Sequence, residues 1–358
     1  MVPLLAVVFI VSGASINLLQ QQLYYAGAGD ESSMILILPT FVGCLLGGLA
    51  NPRARAELTQ GPGGIRRQLP FRIKQMAAMS VFDVISQILR SIAQNLCGSG
   101  MFTVIYAILP AFNGVLSYFF MGRILNIRQW AAIAVVVLGL ALSAESEESD
   151  LKNDDNDKRY SVGLGILLGL AGTLSSSASY LCAELVFKNP LAPKEGTTVT
   201  AINGINNLLL TAPWLLFYSI PNRSRLIYQP VAEKNALSPT IIIFLLGGLV
   251  AANAAHLNSC YALLQITESM TLTMLQGLRA VLVFALSGAL FCTPTSPEQC
   301  LSFAKVLSSC LVVTGIVIYA LSTASLSKRV GDGTGSFKKN KRKLKKKLSD
   351  DNMIDDAI

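Results

Sequence analysis

The chain has 358 residues, of which 52% are hydrophobic and only 14% charged, and its 29 basic and 21 acidic side chains leave a net charge of +8. A soluble domain carries about 25% charge, so this chain cannot coat a water-facing surface of its own size, and disorder over most of its length is excluded. One histidine and seven cysteines, with no CxxC pair among them, exclude a histidine-rich metal site and a ribbon-type zinc site.

A membrane-crossing helix needs roughly 20 mostly apolar residues. Ten stretches meet this: 2–24, 33–50, 75–96, 101–121, 130–144, 162–187, 197–220, 240–263, 269–291 and 303–324. The first lacks a basic leader and reads as a retained helix rather than a cleaved signal. Basic residues accumulate in cytoplasmic loops. Alternate loops from the second-to-third connection onward, with the C-terminal tail, hold 20 Lys and Arg; the opposite set holds 6 and the remaining three lie inside spans. Both termini are therefore expected on the cytoplasmic side. The tripeptide Asn222-Arg223-Ser224 falls in an expected luminal loop, where Asn222 can accept a glycan. Cys292 and Cys300 bracket the last luminal loop. An oxidising compartment permits a bridge there, and two unpaired thiols near the membrane surface fit the spacing equally.

The acidic run through 145–159 divides the chain, leaving five expected helices on each side. The halves show weak self-similarity. SGMFTVIYAILPAFNGVLSYFF aligns with ESMTLTMLQGLRAVLVFALSGALF, and VVVLGLALSA with LVVTGIVIYALS, placing Gly139 on Gly315. An odd number of helices per half makes the second copy enter the membrane from the opposite side. The expected fold is thus an all-α membrane protein of ten helices in a 5+5 inverted repeat, a design of secondary transporters whose sites lie near mid-membrane. The organisation is a first repeat (1–144), an acidic luminal linker (145–161), a second repeat (162–326) and a basic, disordered cytoplasmic tail (327–358).

Several of these segments, in order, resemble one family. SGASINLL is similar to an opening G-S-I-N-T-L. GRILNIRQW with VVLGLALSA resembles a fourth-to-fifth helix link, YLCAELVFKNPLAP a sixth-helix end and LQGLRAVLVF a ninth-helix motif. The likeness, which runs to about Leu326, is to the drug/metabolite transporter superfamily and within it to the F subfamily of solute carrier family 35. That superfamily includes nucleotide-sugar carriers and proteins like the chloroquine-resistance transporter. The resemblance puts Glu184 and Arg279 on the family's glutamate and arginine. It also exposes a departure: relatives carry a second arginine in the fourth helix, where the repeat alignment places Pro110 in this chain.

Ionisable groups inside a span cost a few kcal/mol to insert and are functional candidates. Arg279 lies near the centre of its span; it reads as a counter-charge for an anionic solute, or as the partner of Asp83 in a structural pair. Asp83 and Arg90, seven residues apart, share one helix face and read as a proton acceptor and a second solute-binding charge, or as an internal charge network. Glu184 stands four residues before Lys188, so an i,i+4 pair explains it without a role in transport. His256, between Asn253 and Asn258, reads as a pH-sensitive group or as part of a packed polar network. Tyr106, Asn113 and Gln276, with Asn17, Asn203, Asn206 and Asn207, add neutral polar groups to the spans, more than lipid exposure accounts for. Pro110 is expected to kink the fourth helix. The pairs Gly43/Gly47 and Gly165/Gly169 have GxxxG spacing, which favours close packing within the chain and leaves a homodimer as the other reading.

The expected function is secondary-active transport of a small polar or anionic organic solute, nucleotide-sugar-like or another metabolite, across an endomembrane of the Golgi/ER or of a lysosome or vacuole. No cofactor and no nucleic-acid partner are expected; the partners are membrane lipid and the solute. The alternative with the same fold is a non-transporting scaffold. An enzyme is disfavoured, because no P-loop, G-x-S-x-G or HExxH motif is present.

Overall fold

The computed structural model describes residues 2–28, 33–60, 74–106, 108–148, 156–189, 193, 195–234, 236–292, 302–304 and 306–323. Cys300, the middle of the acidic linker (149–155) and the tail lie outside these residues. Among them the chain is helical and contains no strand. In chain order the helices are α1 (Val2–Tyr25), α2 (Leu38–Ala50), α3 (Pro52–Gln60), α4 (Lys74–Tyr106), α5 (Leu109–Met121), α6 (Ile127–Glu148), α7 (Asn156–Lys188), α8 (Gly196–Trp214), α9 (Gln229–Lys234), α10 (Pro239–Ile266), α11 (Ser269–Phe291) and α12 (Val306–Thr323). Six described helical stretches, in α1, α4, α7, α10, α11 and α12, are long and apolar enough to cross a membrane. The apolar helices Leu38–Ala50, Leu109–Met121 and Ile127–Gly139 are shorter. Each of the ten expected intervals contains helix, and the ends of the expected linker, at 145–148 and 156–161, are helical as well.

One boundary differs from expectation. The sequence places a break between 96 and 101, at the Cys97-Gly98-Ser99-Gly100 run, yet α4 continues unbroken to Tyr106. Two glycines cost only about 1 kcal/mol each in a helix, and α4 packs along α7 more extensively than any other pair. The chain breaks at Pro110 instead. That residue has no N–H to return to the carbonyl four positions back, on Tyr106. Pro110 therefore occupies the first turn of α5, where a missing N–H costs nothing, and it starts a helix rather than kinking one. Gly122 ends α5 at φ +62°, its N–H returned to the carbonyl of Tyr118. Pro213 disturbs α8 similarly, and a π-helical turn at Leu215–Ser219 follows it. Asn222 sits just beyond, half-buried, with its amide donating to the carbonyl of Tyr218.

The distribution of side chains is that of a bundle solvated by lipid. Phe119 and Phe244 are 74% and 80% exposed, while Asn113, Asn203, Asn206 and Asn207 are 0% exposed. In lipid the apolar residues gain little by leaving the surface; polar groups gain by meeting one another inside.

Small residues set the helix spacing. A Cβ on Gly43 would stand 2.6 Å from the carbonyl oxygen of Val250 on α10, and one on Gly47 would stand 2.8 Å from the Cβ of Ala254. The Gly43/Gly47 pair is thus spent on packing within the chain. Between α2 and α8 the contacts are reciprocal: Gly48 meets Ala201 and Gly204 meets Leu45. Between α6 and α12 they are reciprocal again, Gly139 meeting Val312 and Gly315 meeting Val136. Helix α1 lies against α10 and α11, α4 against α7 and α8, α2 against α8 and α10, and α5 against α7 and α11.

These contacts predict opposite outcomes for two glycine substitutions. In Gly204→Val the first added carbon lies 2.5 Å from the backbone nitrogen of Leu45, and overpacking of this kind costs about 1–3 kcal/mol. Around Gly247 on α10 there is open space, so Gly247→Ala is neutral or stabilising by about 0.5–1 kcal/mol. Melting of the two purified variants in detergent measures both; equal melting temperatures would show that the α2–α8 contact does not limit packing.

Candidate functional site

Five long helices and the start of α2 line a polar cavity of about 90 Å³. Its wall follows helical periodicity. Asp83, Gln87, Arg90, Ser91 and Gln94 come from one stripe of α4, and Ser176, Ser179, Tyr180 and Ala183 from one stripe of α7. Asn253, His256, Leu257, Cys260 and Tyr261 come from α10, Ile16, Gln20 and Tyr24 from α1, and Arg279 from the middle of α11. Spacings of three and four residues bring such positions onto one helix face.

Arg279 is 8% exposed and is held by neutral groups. One guanidinium nitrogen donates to the side-chain oxygen of Asn17. Another donates to Gln276 Oε1 at 3.4 Å, and the amide of Gln276 donates in turn to the Tyr180 hydroxyl at 3.1 Å. Gly13 lets this happen: a Cβ there would stand 2.8 Å from Cδ of Arg279 and 2.9 Å from Cε1 of His256. His256 stacks on Phe9 with ring centroids 4.4 Å apart and places Nδ1 2.9 Å from the Phe9 carbonyl oxygen. It belongs to the polar packing that seats α1 against α10.

The Asp83–Arg279 pair offered by the sequence is not formed. Asp83 Oδ2 accepts instead from Asn207 at 2.7 Å and Asn203 at 3.1 Å, both on α8. Asn203 also donates to the Tyr261 hydroxyl at 3.0 Å and accepts from Ser80 at 2.8 Å. Arg90 joins the cavity from the same stripe of α4, two turns beyond Asp83. Its guanidinium carbon lies 4.2 Å from the centroid of Tyr106 and 5.7 Å from that of Phe102, and its buried Nε has no hydrogen-bond partner. Arg90 and Arg279 thus share one cavity, and neither is in an ion pair among the described residues.

Two expected site residues lie elsewhere. Glu184 gathers three partners: Arg123 at 2.8 Å and Lys188 at 2.9 Å on one carboxylate oxygen, and the backbone N–H of Ser269 at 2.9 Å on the other. Arg123 also reaches Glu268 at 3.2 Å. Asn113 belongs to this second cluster, donating to the Ser269 hydroxyl at 3.1 Å. The i,i+4 pair with Lys188 is present, but it is one strand of a knot joining the end of α5, the end of α7 and the start of α11. Sequence reasoning missed Tyr180, Gln87 and Gln94, and named Asn17 without a role. The polar stripe 83, 87, 90, 91, 94 was the available signal for two of them.

Loss of the ring under Arg90 separates stacking from hydrogen bonding. A cation–π contact in a desolvated site is worth up to about 2 kcal/mol. Tyr106→Leu is expected to lower the melting temperature of the purified chain and Tyr106→Phe to preserve it; matching losses would assign the effect to the hydroxyl.

Comparison with known proteins agrees with this architecture. No family model matches the chain. It is 24% identical over 269 residues to solute carrier family 35 member F6 of Pongo abelii and, equally, of Homo sapiens, spanning 72% of this chain and 71% of each relative. The Mus musculus protein of the same name is 22% identical over the same length. A protein of solved crystal structure superposes with a TM-score of 0.62 over 91% of this chain and 98% of that one, at 14% identity, a likeness of fold alone. The resemblance to solute carrier family 35 read from the sequence is thus matched by relatives of that name, and the chain is a multi-pass, helical membrane protein.

Proposed function

We propose that this chain is a secondary-active transporter that moves a small anionic organic solute, nucleotide-sugar-like or another metabolite, by alternating access across an endomembrane. The observation that carries the reading is the pair Arg90 and Arg279 facing one cavity, with Asp83 the sole carboxylate in its wall among the described residues. Arginine keeps its charge when desolvated and can grip a carboxylate or phosphate with two parallel hydrogen bonds. Tyr106, Tyr180, Gln87 and Gln94 supply neutral groups for the rest of a polar solute. Pockets for drug-sized ligands measure roughly 300–1,000 Å³, so a solute of nucleotide-sugar size enters only when the helices part.

The contact pattern supports the 5+5 inverted repeat. Exchange of each expected span with its counterpart turns the α1–α10 contact into α7–α4, α1–α11 into α7–α5 and α2–α10 into α8–α4; α2–α8 and α5–α11 map onto themselves. The reciprocal glycine contacts follow the same exchange, Gly48 with Gly204 and Gly139 with Gly315.

The cavity reaches the end of α1 and the start of α2, at Tyr24 and Leu36. The Glu184 knot ties the helices at the other end, where Glu57 of α3 also accepts from Thr198 of α8 at 2.7 Å. In this reading, with both termini cytoplasmic, the end at Tyr24 and Leu36 is the luminal one and the Glu184 knot serves as a latch on the cytoplasmic side. Rocking of the halves must break the knot while the cavity closes above.

Transport by reconstituted vesicles tests the site, using the solute depleted from or accumulated in the compartment of a deletion strain. Arg279→Ala is expected to reduce uptake by more than tenfold, since a charge-assisted contact contributes about 1.5–3 kcal/mol; undiminished uptake would remove Arg279 from the site, and intact function without any uptake would favour the scaffold. Glu184→Gln leaves Arg123 and Lys188 without their shared carboxylate. It is expected to increase labelling of a Ser269→Cys reporter by an impermeant maleimide from the cytoplasmic face. Unchanged labelling would show that the knot is not a gate.

A further inference from the structure

The cage around Arg279 is built from acceptors that carry no charge. Asn17 accepts through its amide oxygen and Gln276 through its own, and no carboxylate among the described residues pairs with the guanidinium. The same chain pairs another arginine with carboxylates: Arg123 meets both Glu184 and Glu268 through one guanidinium nitrogen. An interior cation bound by amides is oriented but not neutralised, because each amide offers a dipole and not a counter-charge. An interior cation bound by a carboxylate is neutralised and has little left for a ligand.

We propose that Asn17 is the positioning residue of the anion site: it aims the Arg279 guanidinium into the cavity while leaving its charge available to the solute. The inference rests on the transport reading above and deepens it. The geometry on α1 is specific. Gly13 and Asn17 are one helical turn apart, so they lie on one face. Gly13 clears the path of the arginine stem, with only 2.8 Å left for a Cβ against Cδ, and Asn17 receives the head. The family-like SGASINLL segment thereby acts on Arg279 from a different helix. Gln276, one turn before Arg279 on α11, accepts from it and donates to Tyr180; it fixes the second edge of the guanidinium to α7. Asn17 is not placed to touch the solute: it does not line the cavity, whereas Ile16 and Gln20 do.

The decisive substitution is Asn17→Asp, which keeps the shape and adds the missing counter-charge. The full-length chain, purified in detergent, is titrated with two charged probes, UMP and citrate, and with uridine as the neutral counterpart of UMP. Binding is read by thermal shift, beside the melting temperature without ligand. Asn17→Asp is expected to melt at or above the unmodified chain and to lose at least about tenfold in affinity for the charged probes, since an internal ion pair now competes for the same nitrogens. The preference for UMP over uridine falls toward unity. Asn17→Ser, which shortens the acceptor without adding charge, is expected to weaken UMP binding by several-fold and retain the preference over uridine. The double variant Asn17→Asp with Arg279→Gln shows no further loss beyond Arg279→Gln alone.

An Asn17→Asp chain that binds the charged probes as tightly as the unmodified chain overturns the proposal. So does an Asn17→Ser chain whose affinity and preference are both unchanged, which decides the matter where Asn17→Asp fails to fold. Failure of the unmodified chain to prefer any charged probe sinks the anionic-solute reading itself, and with it the role of Asn17, so the two failures are told apart by which protein shows them.

Discussion

Lipid offers a polar group no hydrogen-bond partner, so the polar groups inside this bundle are gathered against one another. The rest of the structure follows from how that demand is met. On the α4–α8 side the demand is met by amides: Asn203 and Asn207 hold the Asp83 carboxylate, and Ser80 links Asn203 to Asn206. On the α1–α11 side Asn17 and Gln276 hold a guanidinium. The two charges that could have cancelled one another are each solvated separately by neutral side chains. A direct Asp83–Arg279 pair would satisfy the helices just as well and would leave the cavity with little to offer an ionic solute.

The knot at Glu184 meets the same demand differently. There opposite charges are joined directly, and the third partner is the N–H of Ser269 at the start of α11, where a carboxylate also benefits from the helix dipole. Direct pairing suits a contact that must hold elements together in one state and release them in another. Amide solvation suits a charge that must stay exposed to a visiting ligand. Glu184, Arg123 and Lys188 thus join helix ends to one another, while Asp83, Arg90 and Arg279 stand in the cavity wall.

Composition made the membrane setting and the helical class legible, because a bilayer imposes length and polarity along a single chain. The ionic residues Asp83, Arg90, Arg279, Glu184 and His256 stood out for the same reason. Their partners did not. Whether Arg279 meets Asp83 or Asn17 depends on the rotation and depth of α1, α4 and α11 relative to one another, which no local pattern encodes. Glu184 shows the limit clearly. Its i,i+4 relation to Lys188 was readable and real, yet the contacts with Arg123 and Ser269 that define its role come from helices 61 and 85 residues away. The break before α5 was misplaced because glycines announce a weak helix, whereas the missing N–H of Pro110 removes a specific hydrogen bond.

The proposed repeat makes this division more pointed. Its scaffold contacts obey the exchange of halves down to individual glycines, Gly48 with Gly204 and Gly139 with Gly315, so the two five-helix units meet through matched, closely spaced surfaces. The charges do not obey it. Arg279 on α11 corresponds to Pro110 on α5 in the repeat alignment, and α4 brings Asp83 and Arg90 to the cavity wall whereas α10 brings Asn253 and His256. In the transport proposed above, a symmetric frame gives inward and outward states of similar packing energy, because each is the other with the halves exchanged. There the asymmetric set of charges offers the proposed solute one binding geometry rather than two. Pro110 opens α5, and Arg90, seated over Tyr106 of the same helix, brings the second positive group to the cavity from α4 rather than from the counterpart of Arg279.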